Sequence, residues 1–201
     1  LDLVELKVLK YEPQSRGFIL LEPMYFYDIV KRLESAGIKV INESNIKERI
    51  ELPVKLEFKG VLRDYQEEAL NSWRKNGYRG VISLPTGSGK TVIALAAIAE
   101  LSVATLIVTY TKEQMVQWQE KIFDFLNPPK VLVGLFYGSE KRIAPITIAT
   151  YQSAYRYIEE LAPRFTFLIV DEVHHLPADK FRHIAVRSFA PFRMGLSATV
   201  V

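Results

Sequence analysis

Three short stretches carry residue types able to do chemistry. The first, Gly87-Ser-Gly-Lys-Thr91, sets two glycines ahead of a lysine and a hydroxyl. Glycines let backbone N–H groups turn inward around an anion, and a helix opening at Gly89 or Lys90 adds unpaired N–H groups and a positive dipole end. Lys90 would then reach the β- and γ-phosphates of a nucleotide, and the Thr91 hydroxyl would hold Mg²⁺. The second, Asp171-Glu172, follows the apolar run Phe165–Val170. Mg²⁺ is a hard cation that suits a carboxylate such as Asp171. Glu172 is placed to orient or deprotonate a water that attacks the γ-phosphate. The third, Ser197-Ala-Thr199, offers two hydroxyls that would bridge the nucleotide to the rest of the machine.

The loop departs from the general phosphate-binding pattern at one position. A glycine is expected five residues before the Gly-Lys pair's first residue, and Leu84 stands there. The flanks still fit. Val81–Leu84 reads as a buried strand, Pro85 and Thr86 begin the turn, and Val92–Leu101 is an apolar helical run. Strand, glycine loop and helix in that order are what phosphate binding needs.

Positioning these residues takes a sheet. After an amphipathic helix over Leu62–Leu70, with Asp64 as N-cap and Gln66 or Glu67 completing a capping box, strands are predicted at Val81–Leu84, Ala104–Val108, Val131–Phe136, Ile146–Ala149, Phe165–Val170 and Phe192–Leu196. Helices are predicted at Lys112–Phe125 and Ala178–Val186, with a polar-aromatic segment over Thr150–Glu160. Such alternation implies an α/β fold, a mostly parallel sheet covered on both faces. Ligands of these sheets bind at the carboxyl ends of the strands, where Asp171-Glu172 falls.

The first 55 residues read differently. A strand through Val4, Leu6 and Val8, a turn over Tyr11–Gly17, a strand at Phe18–Leu21, a helix over Asp28–Ala36 and a strand at Ile38–Ile41 make a small β-β-α-β unit. This divides the chain into residues 1–55 and 56–201. Tyr25-Phe26-Tyr27 could stack on bases, but packing is the expected role, since aromatic rings are a common source of core area.

Composition is that of a globular protein, 49% hydrophobic and 24% charged. No apolar run reaches the roughly 18 residues of a membrane span, so no membrane partner is expected. The start, Leu1-Asp-Leu-Val-Glu5, has neither a signal-peptide pattern nor an initiator Met, which suggests a fragment or a trimmed chain. With no cysteine there are no disulfides and no Cys-ligated zinc, which fits a reducing setting. His174, His175 and His183 lie in no His-Glu-x-x-His helix, so zinc ligation is not expected; a histidine linking the carboxylates to nearby polar groups is. The net charge of +3 is too small to indicate nucleic acid by itself. Residues 1–55 carry nine charges of each sign, so the whole excess, 17 basic against 14 acidic, lies in the larger part.

Taken together, Leu84-Pro-Thr-Gly-Ser-Gly-Lys-Thr91, Asp171-Glu-Val-His174 and Ser197-Ala-Thr199 resemble motifs I, II and III of superfamily 2 helicases. Arg63-Asp-Tyr-Gln66 resembles that superfamily's glutamine motif, which reads adenine; a Gln amide matches adenine's donor–acceptor edge. Leu106–Trp118 resembles motif Ia, and Thr150-Tyr-Gln-Ser153 a nearby DNA-contacting motif. The fuller strings Asp171–Ala178 and Ala190–Thr199 resemble the XPB family, and the N-terminal unit is similar to the small damage-recognition domain of its archaeal members.

The resemblance implies a P-loop RecA-like domain, doubly wound around a parallel sheet, from an ATP-dependent DNA helicase or translocase of nucleotide excision repair or transcription. It implies ATP and Mg²⁺, with Arg63, Gln66, Pro85, Thr86, Gly87, Ser88, Gly89, Lys90 and Thr91 binding ATP. Lys90, Asp171 and Glu172 would be catalytic, and Thr91 and Asp171 would hold the metal. Thr109, Thr111, Lys112, Thr150 and Tyr151 would contact DNA, duplex or forked, through phosphates. His174, Ser197 and Thr199 would couple the sites. It also implies a nuclease or a repair or transcription protein as partner, and a cytoplasmic location in a prokaryote or a nuclear one in a eukaryote.

Two features depart from the family pattern. Motif Ia has Tyr110-Thr111 where Pro-Thr is usual, and the chain ends at Val201, directly after motif III. The family's second RecA-like domain carries arginine fingers, worth orders of magnitude in phosphoryl transfer, so the isolated chain is expected to be nearly inactive. Two other readings compete: another superfamily 2 motor, such as a restriction-type translocase, or a DNA- or protein-binding module without ATPase of its own.

Overall fold

The computed structural model describes residues 8–198. A small hairpin, β1 (Leu9–Glu12) and β2 (Gly17–Leu20), pairs antiparallel with Leu9 opposite Leu20. The body is a seven-stranded sheet formed by β3 (Arg79–Ser83), β4 (Thr105–Thr109), β5 (Val133–Tyr137), β6 (Glu140–Lys141), β7 (Ile146–Thr150), β8 (Phe167–Val170) and β9 (Phe192–Ser197). Its spatial order is β3-β9-β8-β4-β7-β5-β6. Every pairing is parallel except β5 with the two-residue β6.

Side chains alternate faces along a strand, and the two cores of this domain follow that period. Ile107 of β4 and Phe167 and Ile169 of β8 join a cluster with Leu70, Trp73, Ile93, Ile98, Met115, Trp118 and Ile122. These come from α2 (Asp64–Lys75), α3 (Lys90–Leu101) and α4 (Lys112–Leu126) on one face. Leu106 and Val108 of β4 and Leu168 and Val170 of β8 point the other way. They pack with residues of α5 (Tyr151–Arg156), α6 (Ile158–Leu161) and α7 (Ala178–Arg187). Helices on both faces make the sheet doubly wound, as expected. The helix α3 is apolar nearly all round because it lies deepest, with Ile93–Ile98 all buried.

The sequence misplaced some elements. The N-cap of α2 is Arg63, not Asp64, which is the helix's first residue. Residues 130–132 form a 3-10 turn before β5, so the strand starts at Val133. The polar-aromatic segment holds two short helices, α5 and α6. In the N-terminal unit α1 spans Phe26–Ser35, but residues 38–41 make no strand. Ile38 and Ile41 stay exposed, so the alternating apolar pattern found no sheet edge to join. The strand read through Val4 and Leu6 falls outside the described residues, except for Val8.

The N-terminal unit lies against the body near the root of β3 and along α7. Asp28 pairs with Arg79 at 3.1 Å, Glu22 with Arg182 at 3.1 Å, and Phe26 meets Phe189 edge-on at 5.9 Å. Tyr27 is buried, so the aromatic cluster packs. From Ile50 onward the chain is bonded to the body: Ala104 N–H donates to Ile50 O, and Leu52 N–H donates to Ser102 O.

Candidate nucleotide site and nucleic-acid face

The carboxyl ends of β3, β4, β7, β8 and β9 lie along one edge of the sheet, so the segments that follow them converge. The loop after β3 is fixed at its root by Leu84 N–H donating to Ser197 O at 3.1 Å. Gly87 (φ +80°) and Gly89 (φ +82°) then adopt left-handed backbone, and α3 starts at Lys90. Lys90 is buried and folds back into the loop, its Nζ donating to Leu84 O at 2.9 Å and Pro85 O at 3.4 Å. The buried Ser88 Oγ has no hydrogen-bond partner among the described residues. A buried cation, an unsatisfied hydroxyl and the N-terminus of a twelve-residue helix in one concave loop suit a phosphate chain. Thr91, half-buried, is the second residue of that helix.

The glutamine motif braces this loop. Gln66 is buried, with both ends of its amide engaged: Oε1 accepts from Arg63 N–H at 2.9 Å, and Nε2 donates to Ser88 O at 2.9 Å. The same carbonyl accepts from Tyr65 Oη at 2.6 Å, and exposed Arg63 reaches Tyr65 Oη at 3.3 Å. Gln66 therefore holds the loop through both ends of its amide. Tyr65 was not singled out in the sequence, although it sits inside the Arg63–Gln66 motif.

Asp171 and Glu172 stand at the end of β8. Asp171 is buried, and both its oxygens are engaged: Trp118 Nε1–H donates to Oδ2 at 2.7 Å and Glu172 N–H to Oδ1 at 2.9 Å. Burial pushes its carboxyl above the ordinary range, helped by the neighbouring Glu172 charge, while the Trp118 bond and the Lys90 charge pull against that shift. Glu172 takes a left-handed backbone (φ +49°), and its carboxylate meets His174. His174 Nε2 lies 3.3 Å from Glu172 Oε2, and its Nδ1 lies 3.1 Å from Ser197 Oγ. With a neutral ring, Nε2–H donates to the carboxylate and Nδ1 accepts from the serine. His174 is thus the histidine that links a carboxylate to a neighbouring hydroxyl. Glu172, His174 and His175 bring one possible metal-ligand atom each within 4.8 Å of one another. Two of the three are already paired in this chain of bonds.

The residues assigned to DNA separate into supports and surface. Thr109 is fully buried, and its hydroxyl donates to Thr111 O at 3.1 Å, so it shapes the end of β4. Thr111 caps α4: its Oγ accepts from Gln114 N–H at 3.2 Å, while Gln114 Oε1 accepts from Thr111 N–H at 3.1 Å. Thr150 is the buried N-cap position of α5, and Tyr151 follows it half-buried. Lys112 is exposed with its Nζ 4.3 Å over the Tyr137 ring. It opens onto a cleft of about 720 Å³ shared with Lys141, Arg156, Tyr137 and Tyr157. Cations interleaved with aromatic rings are the chemistry of a nucleic-acid groove. Thr199 lies outside the described residues.

Comparison with known proteins supplies the family. The family model described as "Type III restriction enzyme, res subunit" matches residues 59–201. Among curated proteins, the chain is 39% identical over 191 residues to "DNA 3'-5' translocase XPB2" of Sulfurisphaera tokodaii, covering 95% of this chain and 42% of that protein. It is 33% identical to "Putative DNA 3'-5' helicase Rad25" of Halobacterium salinarum (85% and 28%) and 37% identical to "DNA 3'-5' helicase XPB" of Mycobacterium tuberculosis (74% and 28%). The chain therefore spans less than half the length of these relatives. The fold is shared with the UvsW helicase of bacteriophage T4, at a TM-score of 0.61 and 20% identity, covering 96% of this chain and 74% of that one. It is shared too with the Sulfolobus solfataricus SWI2/SNF2 ATPase core solved with dsDNA, at a TM-score of 0.60 and 19% identity, covering 75% and 35%. The chain belongs to the family described as Type III restriction enzyme, res subunit, and the curated proteins it is similar to are of the XPB type.

Proposed function

We propose that this chain is the nucleotide-binding portion of an XPB-type DNA translocase, one wall of an ATPase site that works on DNA. The observation that carries the reading is a continuous set of contacts at one sheet edge. Lys90 lies in the glycine loop, the root of that loop is bonded to Ser197, and Ser197 is joined through His174 to Glu172. A change in the phosphate loop therefore reaches the carboxylate and the β9 hydroxyl through direct bonds.

Each residue has a role set by its surroundings. Lys90, released from the loop carbonyls, meets the charge of the β- and γ-phosphates of ATP. Glu172, oriented by His174, accepts the proton of the attacking water. Gln66 and Tyr65 keep the Ser88 carbonyl fixed so that the loop N–H groups face the anion. Thr91 and Asp171 would hold Mg²⁺, which when bound neutralises charge that develops on the phosphate oxygens. DNA lies along the cleft of Lys112, Lys141 and Arg156, where cations meet its phosphates.

The test is DNA-stimulated ATP hydrolysis by the full-length protein. Lys90→Ala and Glu172→Gln should each abolish it while leaving the fold intact by circular dichroism. Undiminished hydrolysis in either variant would overturn the assignment.

A further inference from the structure

Four rings stand in a row between the DNA-facing loops and the general base. The Tyr151 ring, at the start of α5, stacks on Tyr110 with centroids 5.5 Å apart and planes 9° apart. Tyr110, after β4, meets His175 at 5.7 Å and 30°. His175 meets His174 at 4.1 Å, and His174 contacts both Glu172 and Ser197. The row thus joins the segments that follow β4, β7 and β8 to the end of β9.

The placement is not explained by burial. Tyr110 is 37% exposed, and His175 is exposed too, so neither ring fills the core. The Tyr110 backbone is nevertheless pinned, its N–H donating to Gln114 Oε1 within the cap of α4. That cap immediately precedes Lys112. Tyr110 is thus tied both to the start of α4 and to Tyr151, and its ring rests on His175. The other neighbour in His175's row is His174, at 4.1 Å, and the two nitrogens of His174 contact Glu172 and Ser197.

We infer that Tyr110 and His175 are positioning residues that transmit nucleic-acid contact at the β4 and β7 ends to Glu172, making hydrolysis responsive to DNA. The inference rests on the ATPase reading above. It assigns a task to the Tyr110-Thr111 departure, because a proline at 110 would offer no aromatic ring to stack between Tyr151 and His175.

The experiment measures ATP hydrolysis by the full-length protein with and without duplex DNA, alongside DNA affinity by fluorescence anisotropy. In Tyr110→Ala and in His175→Ala, basal hydrolysis stays within about twofold of wild type, while the stimulation by DNA falls about fivefold or more. Tyr110→Phe, which keeps the ring, retains the stimulation. The double variant loses no more than either single one, because both cut the same row. A parallel fall in basal and stimulated rates, unchanged stimulation in both alanine variants, or a loss of DNA affinity that alone accounts for the lost stimulation would overturn the inference. No DNA stimulation in the wild type would instead overturn the functional reading beneath it.

Discussion

The indole of Trp118 donates to Asp171 Oδ2 at 2.7 Å, across 53 residues of sequence and from the face of the sheet that α4 covers. Trp118 is 2% exposed, so this is a buried, charge-assisted bond. It holds one carboxylate oxygen in place while the Glu172 amide holds the other.

Trp118→Phe keeps most of the ring volume and removes the donor. Losing a bond to a buried carboxylate should cost about 1.5–3 kcal/mol of stability, read as a lower urea midpoint. It should also raise the Asp171 carboxyl further, since this bond is one of the influences holding it down. Hydrolysis in the full-length protein should then require more Mg²⁺ than in the wild type, and a titration of rate against Mg²⁺ checks that.

The raised Asp171 carboxyl sets the sign of a pH dependence of stability. Burial raises its carboxyl above the ordinary 3.8, so the charged form is the one the folded state disfavours. The penalty is complete above the folded pKa, shrinks as falling pH protonates the group, and is gone below the unfolded value. Asp171→Asn lacks this titration. The stability of Asp171→Asn relative to wild type should therefore be greatest at neutral pH and decline as pH is lowered towards about 4. Urea midpoints of both proteins at pH 7.5, 6 and 4.5 give the comparison; a gap that is flat with pH would count against a raised carboxyl.

Much of this was legible in the sequence because it depends on local pattern. The order of strand, glycine loop and helix, and the acidic pair after an apolar strand, follow from residue types within ten positions. Contacts across the fold were not legible. Trp118 falls within the predicted Lys112–Phe125 helix and ends the Leu106–Trp118 stretch, and nothing local marks its N–H as the partner of Asp171. Gln66 illustrates a converse limit: its type suits adenine, but burial commits its amide to Arg63 and Ser88. Thr109 looked like a surface hydroxyl after a strand, yet β7 and β8 flank β4 and bury it. The strand expected at 38–41 failed because strand propensity needs an edge to pair with, and sequence does not show where edges are.

Gly89 should tolerate no side chain. Its φ of +82° disfavours any L-residue, and a Cβ there would stand 2.5 Å from Gln66 Nε2. Gly89→Ala should destabilise the protein by about 1–3 kcal/mol and weaken nucleotide binding, measured by fluorescence titration. Adding Gln66→Ala removes the clash but not the backbone strain. The double variant should therefore regain the part of the loss that comes from the clash, and nucleotide binding should stay weak because Ser88 O keeps only the Tyr65 bond.

Arg193 is the least expected support of the site. Its guanidinium donates to the carbonyls of Ala185 at 2.6 Å, Ser188 at 2.7 Å and Ala190 at 2.8 Å, tying the end of α7 and the turn after it to β9. Its own carbonyl accepts from Trp73 Nε1 at 2.7 Å, which joins α2 to the same strand. Burial and the neighbouring Arg79 charge lower the guanidinium to about 10, so it is still charged at neutral pH. A lysine brings one compact ammonium and cannot fork to three carbonyls. Arg193→Lys should thus recover little of the loss seen in Arg193→Met, which leaves three carbonyls unpaired and should cost about 3 kcal/mol. Because β9 carries Ser197, both variants should also loosen the Ser197–His174 contact. Faster hydrogen exchange at the residues of β9 than at those of β4 would show it, and equal protection of the two strands would refute it.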